Sequence, residues 1–459
     1  MPAANQKDLL LRRLSVRASG SRDLEQLLGL SQSSVSRALR ALVADGRVLR
    51  IGTTRGAQYG LRRPIEGIGD AWPMHRINRH GEIEQLGTLH ALAADQYYLE
   101  ATSTARANGF AWEGISEGIP YFLQDQRPGG FLGRAVPRKY PELRLPQRVI
   151  DWSDDHYLRY LTQRGSDALG DLILGTGSLD DYLRERSARE SIPSPQRDAR
   201  YPELANVVME GGLPGSSAHG EHPKFASLLQ EGSSQRHVLV KFSPPADTRA
   251  GVRWSDLLVS EHLALSLLGA AGISAASSQV FQFAGCTYLE LDRFDRAGAE
   301  GRLGFTSLLA IDACLYGQLD NWIAAAGRLH RDRRIDTETL EQVRLITTFA
   351  ALIANSDRHF GNLSFCDEYR GNFRLAPVYD MLPMLFAPEH NRIVSREFVP
   401  PEPTADTLSA YARAAELARE YWQRVAADER ISHEFRAIAN ECHAAVAEVT
   451  AQVPRLVSP

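Results

Sequence analysis

Cysteine is scarce in this chain of 459 residues: Cys286, Cys314, Cys366 and Cys442 lie far apart and form no CxxC pair. That spacing excludes a disulfide framework and a cysteine-held zinc site, and it fits a reducing cytoplasm. Long apolar runs are missing too. None approaches the roughly 20 residues a helix needs to cross a bilayer, so no membrane partner is expected. The opening MPAANQKDLLLRRL is too polar for a signal peptide. Internal repeats and low-complexity tracts are also absent. What is present is ordinary globular material: 43% apolar residues, in a chain long enough for about two to four domains.

Charge is unevenly placed. The whole chain carries −4, yet residues 1–66 hold 12 Lys and Arg against 5 Asp and Glu, a balance of +7 that leaves −11 for the rest. A basic head on an acidic body points the head alone toward a polyanion. In residues 7–17 the leucines share one helical face. Ser21 reads as the N-cap of a helix over Arg22–Leu28, Gly29-Leu30 as a turn, and Ser31 as the cap of a helix over Gln32–Ala44 with Val35, Leu39 and Leu42 inward. Its outward residues include Gln32, Ser33, Ser36, Arg37 and Arg40. Arg47–Ile51 and Gln58–Leu61 then read as a hairpin with Arg55 at its tip. This is the pattern of a winged helix-turn-helix, whose second helix enters the DNA major groove while the wing reaches phosphate or minor groove. The competing reading is a small protein-docking module whose arginines form a solvated face. Basic charge, glycine turn and wing together favour DNA.

The middle of the chain is harder to read. Pro64, Gly67 and Gly69 suggest a linker, with short strands expected at Arg76–Asn78, Glu82–Leu86 and Tyr97–Ala101. Leu158–Gln163 and Leu179–Arg186 read as helical. Residues 186–200 are polar with Pro and Ser, the composition of a boundary or mobile loop.

Chemistry begins at Gly211 with GGLPGSSAHGEHPKF. Its glycines let backbone N–H groups approach phosphates, but the spacing is not that of a Walker A loop. His237–Phe242 alternates like a strand and carries Lys241, the residue a kinase uses to pair nucleotide phosphates. Glu261 is expected to open a helix, Glu261–Leu268, and to pair that lysine. In Leu352–Asp380, LIANSDRHFGNLSFCDEYRGNFRLAPVYD, Asp357 is followed five residues later by Asn362, and Asp380 follows a β-hairpin. That is the order of a kinase catalytic loop: Asp357 orients the attacking hydroxyl, while Asn362 and Asp380 hold Mg²⁺. The bland alternative is a chance D-x4-N pair with acids capping turns.

The run S-D-R-H-F-G-N-L-S-F followed by L-A-P-V-Y-D-M-L-P resembles the active-site segment of HipA-type Ser/Thr kinases, the toxin component of bacterial toxin–antitoxin modules. The resemblance extends over roughly residues 118–400, and with the N-terminal segment the chain is similar to longer relatives carrying their own DNA-binding domain. It implies an α+β architecture: a winged helix-turn-helix (1–66), a HipA-type N-terminal subdomain (67–195), a kinase N-lobe (196–296) and a mainly helical C-lobe (297–459). The Gly-rich stretch resembles the family's G-x-S-x-G-G-x-x-P-K segment, with His219 where a glycine is usual. Aligned on Gly220 and Lys224, the serine that autophosphorylates is Ser217, with Ser216 as competitor. The implied ATP contacts are Gly215, Ser216, Ser217, Gly220, Lys224, Lys241, Glu261 and His359, with adenine against the Tyr288–Arg296 hinge near Leu291 and Phe294. The implied reaction is ATP-dependent phosphorylation of a protein Ser or Thr, with an aminoacyl-tRNA synthetase or another translation factor as the class of substrate and a homodimer as one assembly the resemblance allows. Two other readings stay open: a DNA-binding regulator whose kinase fold senses nucleotide without transferring phosphate, and a small-molecule phosphotransferase.

Overall fold

Leucines at helical spacing build the N-terminal unit. In the computed structural model, which describes residues 3–54, 56–210 and 222–457, helices Ala3–Leu14, Ser21–Leu28 and Gln32–Ala44 close on Leu10, Leu14, Leu24, Val35, Leu39 and Leu42. Gly29, at φ 62°, ends the second helix in the left-handed conformation that glycine adopts without steric cost. Ser31 caps the third by accepting from the Ser34 N–H. The second helix starts one residue earlier than its sequence suggests: Gly20 is the N-cap, and the Ser21 hydroxyl donates to Glu25 instead. Strands Val48–Ile51 and Gln58–Leu61 form the expected hairpin, and Ser19–Gly20 joins it as a third strand. Gln32, Ser33, Arg37 and Arg40 are exposed on the third helix and Ser36 is half-buried. Arg55 lies outside the described residues, as do Gly215, Ser216, Ser217, His219 and Gly220.

The expected linker is a docking turn. Ile65 is 3% exposed and closes a bridge with Gly69, because burial of one isoleucine outweighs the turn-forming composition around it. The Ala93 N–H donates to the Leu61 carbonyl at 2.8 Å and the Arg63 N–H to Ala91 at 3.1 Å. The Arg63 guanidinium meets Asp155 at 2.6 Å and the Tyr97 hydroxyl at 2.9 Å. These bonds fix the N-terminal unit to a five-stranded sheet ordered Gly114–Glu117, Gln96–Ala101, Ile83–Ala91, Ala71–Ile77, Leu172–Leu174. The strands are longer than expected.

A second five-stranded sheet, ordered Ser278–Phe283, Cys286–Asp292, Ser234–Phe242, Lys224–Glu231, Ile192–Pro193, carries the candidate chemistry. The segment 186–200 is not a loose boundary. Ile192–Pro193 pairs parallel with Leu229–Gln230, and Arg197 opens a helix to Met209. Glu261 does not open its helix either. That helix runs from Arg249 to Ala270 behind a Thr248 cap, with Leu257, Leu258, Leu265 and Leu268 buried. Gly251, Val252 and Ser255 dilute its helical signal, and packing against the sheet overrides them. The C-terminal part combines helices Leu308–Leu315, Trp322–Arg331, Thr337–Leu352, Leu408–Ala427 and His433–Val457 with an antiparallel sheet of Phe305–Ser307, Ser364–Asp367 and Phe373–Leu375. The whole is a mixed α+β fold.

Asp367 sits where that small sheet meets the middle of the chain. It is 1% exposed and accepts from the Tyr121 hydroxyl at 2.5 Å and the Tyr369 N–H at 2.6 Å. Burial pushes its carboxyl up to about 6 and raises that of neighbouring Asp171 as well. An unfolded carboxyl titrates near about 3.9, so between that pH and about 6 the folded chain holds the extra proton. Stability from this group is therefore complete at the acid end and falls, by about 1.4 kcal/mol per pH unit, as pH rises through the window. Denaturant midpoints followed across it should show the native protein losing stability relative to Asp367→Asn as pH rises; a constant difference between the two would refute the assignment.

Candidate active site

Lys241 and Lys224 are register partners on adjacent strands of the second sheet, and both side chains are buried. The Lys241 ammonium donates to both carboxylate oxygens of Glu261, at 2.7 and 2.8 Å, and to Oδ1 of Asp380. Burial opposes the charge on Lys241, yet Asp380 and Glu261 outweigh it and hold the ammonium above the usual lysine range. Burial likewise pushes the Glu261 carboxyl up. Asp380 goes the other way: against its own burial, Lys241 and then Lys224 hold its carboxyl below the usual range, with a smaller contribution from His359. Asp380 keeps 26% side-chain exposure against 6% for Lys241 and 0% for Glu261, so it is the member of the triad that a ligand can reach. Its backbone is left-handed at φ 51°, a strained conformation that Asp tolerates better than most residues and that clusters at functional sites.

The loop after helix Thr337–Leu352 is organised by Asn355, 1% exposed. Its side chain accepts from the Asp357 N–H at 2.9 Å and donates to the Asp380 carbonyl at 3.2 Å. One buried amide thus joins the D-x4-N loop to the acid after the hairpin. Asn362 donates to the Asp357 carbonyl at 2.8 Å. His359 accepts from the Gly361 N–H at 3.0 Å and its Nε2 stands 3.8 Å from Asp357, while its own carbonyl accepts from the Trp322 indole at 3.0 Å. The Tyr379 hydroxyl bonds Ser364 and donates to the Gly361 carbonyl, both at 2.6 Å. Asp357 and His359 have exposed side chains.

Other positions singled out in the sequence are placed less directly. Leu291 lies inside its sheet, flanked by Leu239 and Ser278. Phe294, beyond the strand end, packs its ring on Phe305 and Tyr379. The segment following strand Cys286–Asp292 is pinned to the middle of the chain by charge: Arg293 pairs with Asp295 at 2.8 Å, Arg296 with Asp295 at 2.5 Å and with Asp167 at 2.9 Å. In the sequence Asn355 stands in a dense cluster with Asp357, His359 and Asn362, but nothing there marks it as a connector. Arg197 is not marked at all; it reaches across the sheet to Glu290 at 2.7 Å. Asn355 had a signal, lying two residues before Asp357; the Arg197 partner, far along the chain, had none.

Residues 68–183 match the family described as YjjJ-like toxin, middle domain, and residues 216–454 match the HipA-like C-terminal domain. Toxin YjjJ of Escherichia coli (strain K12) is 35% identical over 437 residues, covering 95% of this chain and 96% of the relative. Among solved structures, a chain of the Shewanella oneidensis MR-1 complex of HipA, HipB and operator DNA aligns with a TM-score of 0.48 at 13% identity, covering 83% of this chain and 95% of that one. The Helicobacter pylori proinflammatory kinase CtkA aligns with a TM-score of 0.39 at 15% identity, over 52% of this chain and 94% of its own. With one family match spanning more than half the chain and a relative aligned almost end to end, this protein belongs to the HipA-like toxin family.

Proposed function

We propose that this toxin is an ATP-dependent Ser/Thr protein kinase that carries its own DNA-binding head. The observation that supports it best is the buried ammonium of Lys241 bonded to Glu261 and Asp380, with Asn355 tying Asp380 to Asp357. In this reading Lys241 and Lys224 take the nucleotide phosphates, and Asp357 orients the acceptor hydroxyl. Asn362 commits its amide nitrogen to the Asp357 carbonyl, leaving its oxygen, with the Asp380 carboxylate, for a cation. Two hard oxygen donors fit Mg²⁺, which commonly takes one or two protein carboxylates and completes its shell with phosphate and water. Bound there, Mg²⁺ supplies neutralisation of charge on the transferred phosphoryl group.

Ser217, with Ser216 as competitor, is the proposed site of self-phosphorylation; a phosphate there adds about −1.5 to −2 charges beside bound ATP and drives the Gly-rich segment away from it. A small-molecule phosphotransferase shares the acids but needs no such serine, and a nucleotide-sensing regulator transfers nothing. The N-terminal unit reads as a winged helix-turn-helix, with Gln32, Ser33, Ser36, Arg37 and Arg40 facing DNA from the third helix and Arg55 from the wing.

Asp357→Ala and Asp380→Ala should each lower phosphate incorporation into lysate proteins by about a hundredfold or more, about 3 kcal/mol of barrier; near-native transfer by either would overturn its role. Intact-mass measurement after incubation with Mg-ATP should show one added phosphate that Ser217→Ala abolishes. Persistence in Ser217→Ala with loss in Ser216→Ala moves the site by one residue. Replacing Arg37 and Arg40 together with Ala should weaken duplex binding and flatten its salt dependence, because fewer counterions are released; an unchanged salt slope would place the DNA surface elsewhere.

A further inference from the structure

The second sheet ends on a strand that covers only part of its neighbour. Ile192–Pro193 pairs with Leu229 and Gln230, toward the far end of strand Lys224–Glu231. Ahead of that pairing the sheet edge faces a cavity of about 740 Å³. Ala226, Ser227 and Leu228 line one wall and residues 188–193 another. The chain running into Ile192 thus stands across a gap from the strand that Ile192 goes on to join. Lys241, Glu261, Asp357, Asn362 and Asp380 are not among the lining residues, so the cavity stands apart from the ion cluster.

The ladder fixes where the main-chain groups along this edge point. Opposite residues of an antiparallel pair alternately exchange their N–H and C=O groups and turn them away from each other. The Phe242 N–H donates to the Pro223 carbonyl, whereas the His237 carbonyl accepts from the Arg293 N–H on the other side. Along the register Lys224↔Lys241, Ala226↔Leu239, Leu228↔His237, Ala226 therefore turns its N–H and its carbonyl outward, to the edge that lines the cavity. Among the described residues neither group has a main-chain partner, and Ala226 is half-buried. An unpaired edge of this kind is a template for another strand.

Charge says what kind of strand. Residues 67–459 carry −11, yet the cavity lining holds five cations against three acids. Arg164 is answered by Glu142 and Asp181, and Arg200 by Glu203. Lys139 and Arg189 have no carboxylate within ion-pair distance among the described residues. Lys139 lies 5.2 Å from the Tyr140 ring centroid, and Arg189 gives one N–H to the Ala299 carbonyl at 2.9 Å, which leaves both charges open to an incoming anion. Val136, Leu204 and Leu228 supply apolar lining. A strand shows alternate side chains to its two sides, so a single segment can meet both kinds of wall.

We propose that this edge is a docking site for an extended acidic segment of a partner protein. The segment adds to the sheet through the main chain of Ala226 and turns its carboxylates to Lys139 and Arg189.

Fluorescence anisotropy of the full chain with a fluorescein-labelled heptapeptide of alternating Glu and Val tests this. The acidic peptide should bind, and its counterpart of alternating Lys and Val should bind about tenfold or more weakly. Ala226→Pro removes the outward N–H while sparing the ladder to the next strand, a placement that an edge strand tolerates. It should weaken the acidic peptide about tenfold, the scale of one main-chain hydrogen bond at the upper end of its range. Lys139→Glu combined with Arg189→Gln should weaken it as well and flatten its salt dependence, and this pair decides the question if Ala226→Pro does not fold. No binding of the acidic peptide by the native chain, equal binding of the Lys and Val peptide, or native affinity in these variants overturns the proposal. Equally tight binding of a peptide of alternating Glu and Pro, which lacks the N–H groups to pair with a sheet edge, overturns it too and marks a site for bare anions.

Discussion

One buried ammonium governs the arrangement of this molecule. Lys241 is enclosed by the sheet, and an uncompensated charge there would be expensive. Two carboxylates answer it, Glu261 from a helix 20 residues on and Asp380 from a hairpin 139 residues on. Removing either acid leaves charge in a desolvated place, which is why buried pairs are costly to break even where they add little net stability. The sheet, the Arg249–Ala270 helix and the Ser364–Leu375 hairpin can thus be seen as three supports for one ion cluster. Asn355 extends that cluster to Asp357 without adding charge, using the donor and the acceptor of a single amide.

Much of this was legible because it is local. Asp357, Asn362 and Asp380 are fixed by spacing along a loop and hairpin, and Lys241 by alternation along a strand. The three N-terminal helices and their hairpin were readable from leucine spacing, Gly29 and Ser31. What escaped the sequence depends on distant partners. Residues 186–200 look like a spacer until Glu290 is seen to receive Arg197. The first half of the Glu261 helix looks weakly helical until the sheet it covers is in place. Pro64–Gly69 has the composition of a linker, and only the pocket that takes Ile65 makes it a docking turn.

Charge pairing also joins parts that the sequence separates. Asp167 and Asp295 together neutralise Arg293 and Arg296, uniting the segment after strand Cys286–Asp292 with the turn that follows helix Asp154–Arg164. Such a cluster has no local signature, since each residue looks like ordinary surface charge where it stands. Its burial makes it a specific fastening rather than a loose attraction, because each arginine has acids in a fixed geometry and little water to replace them.

The main-chain bonds from Leu61 and Arg63 into the Ala91–Ala93 edge have a mechanical consequence. A head on a flexible tether swivels independently of its body; this one is spliced to the adjoining sheet and shares its orientation. Whatever grips the third helix therefore aims the Asp357 loop as well, like a handle fixed to a blade. Cutting the chain at residue 66 would do more than remove the handle, for it would also strip the bonding partners from one margin of the sheet and expose the apolar seam around Leu92.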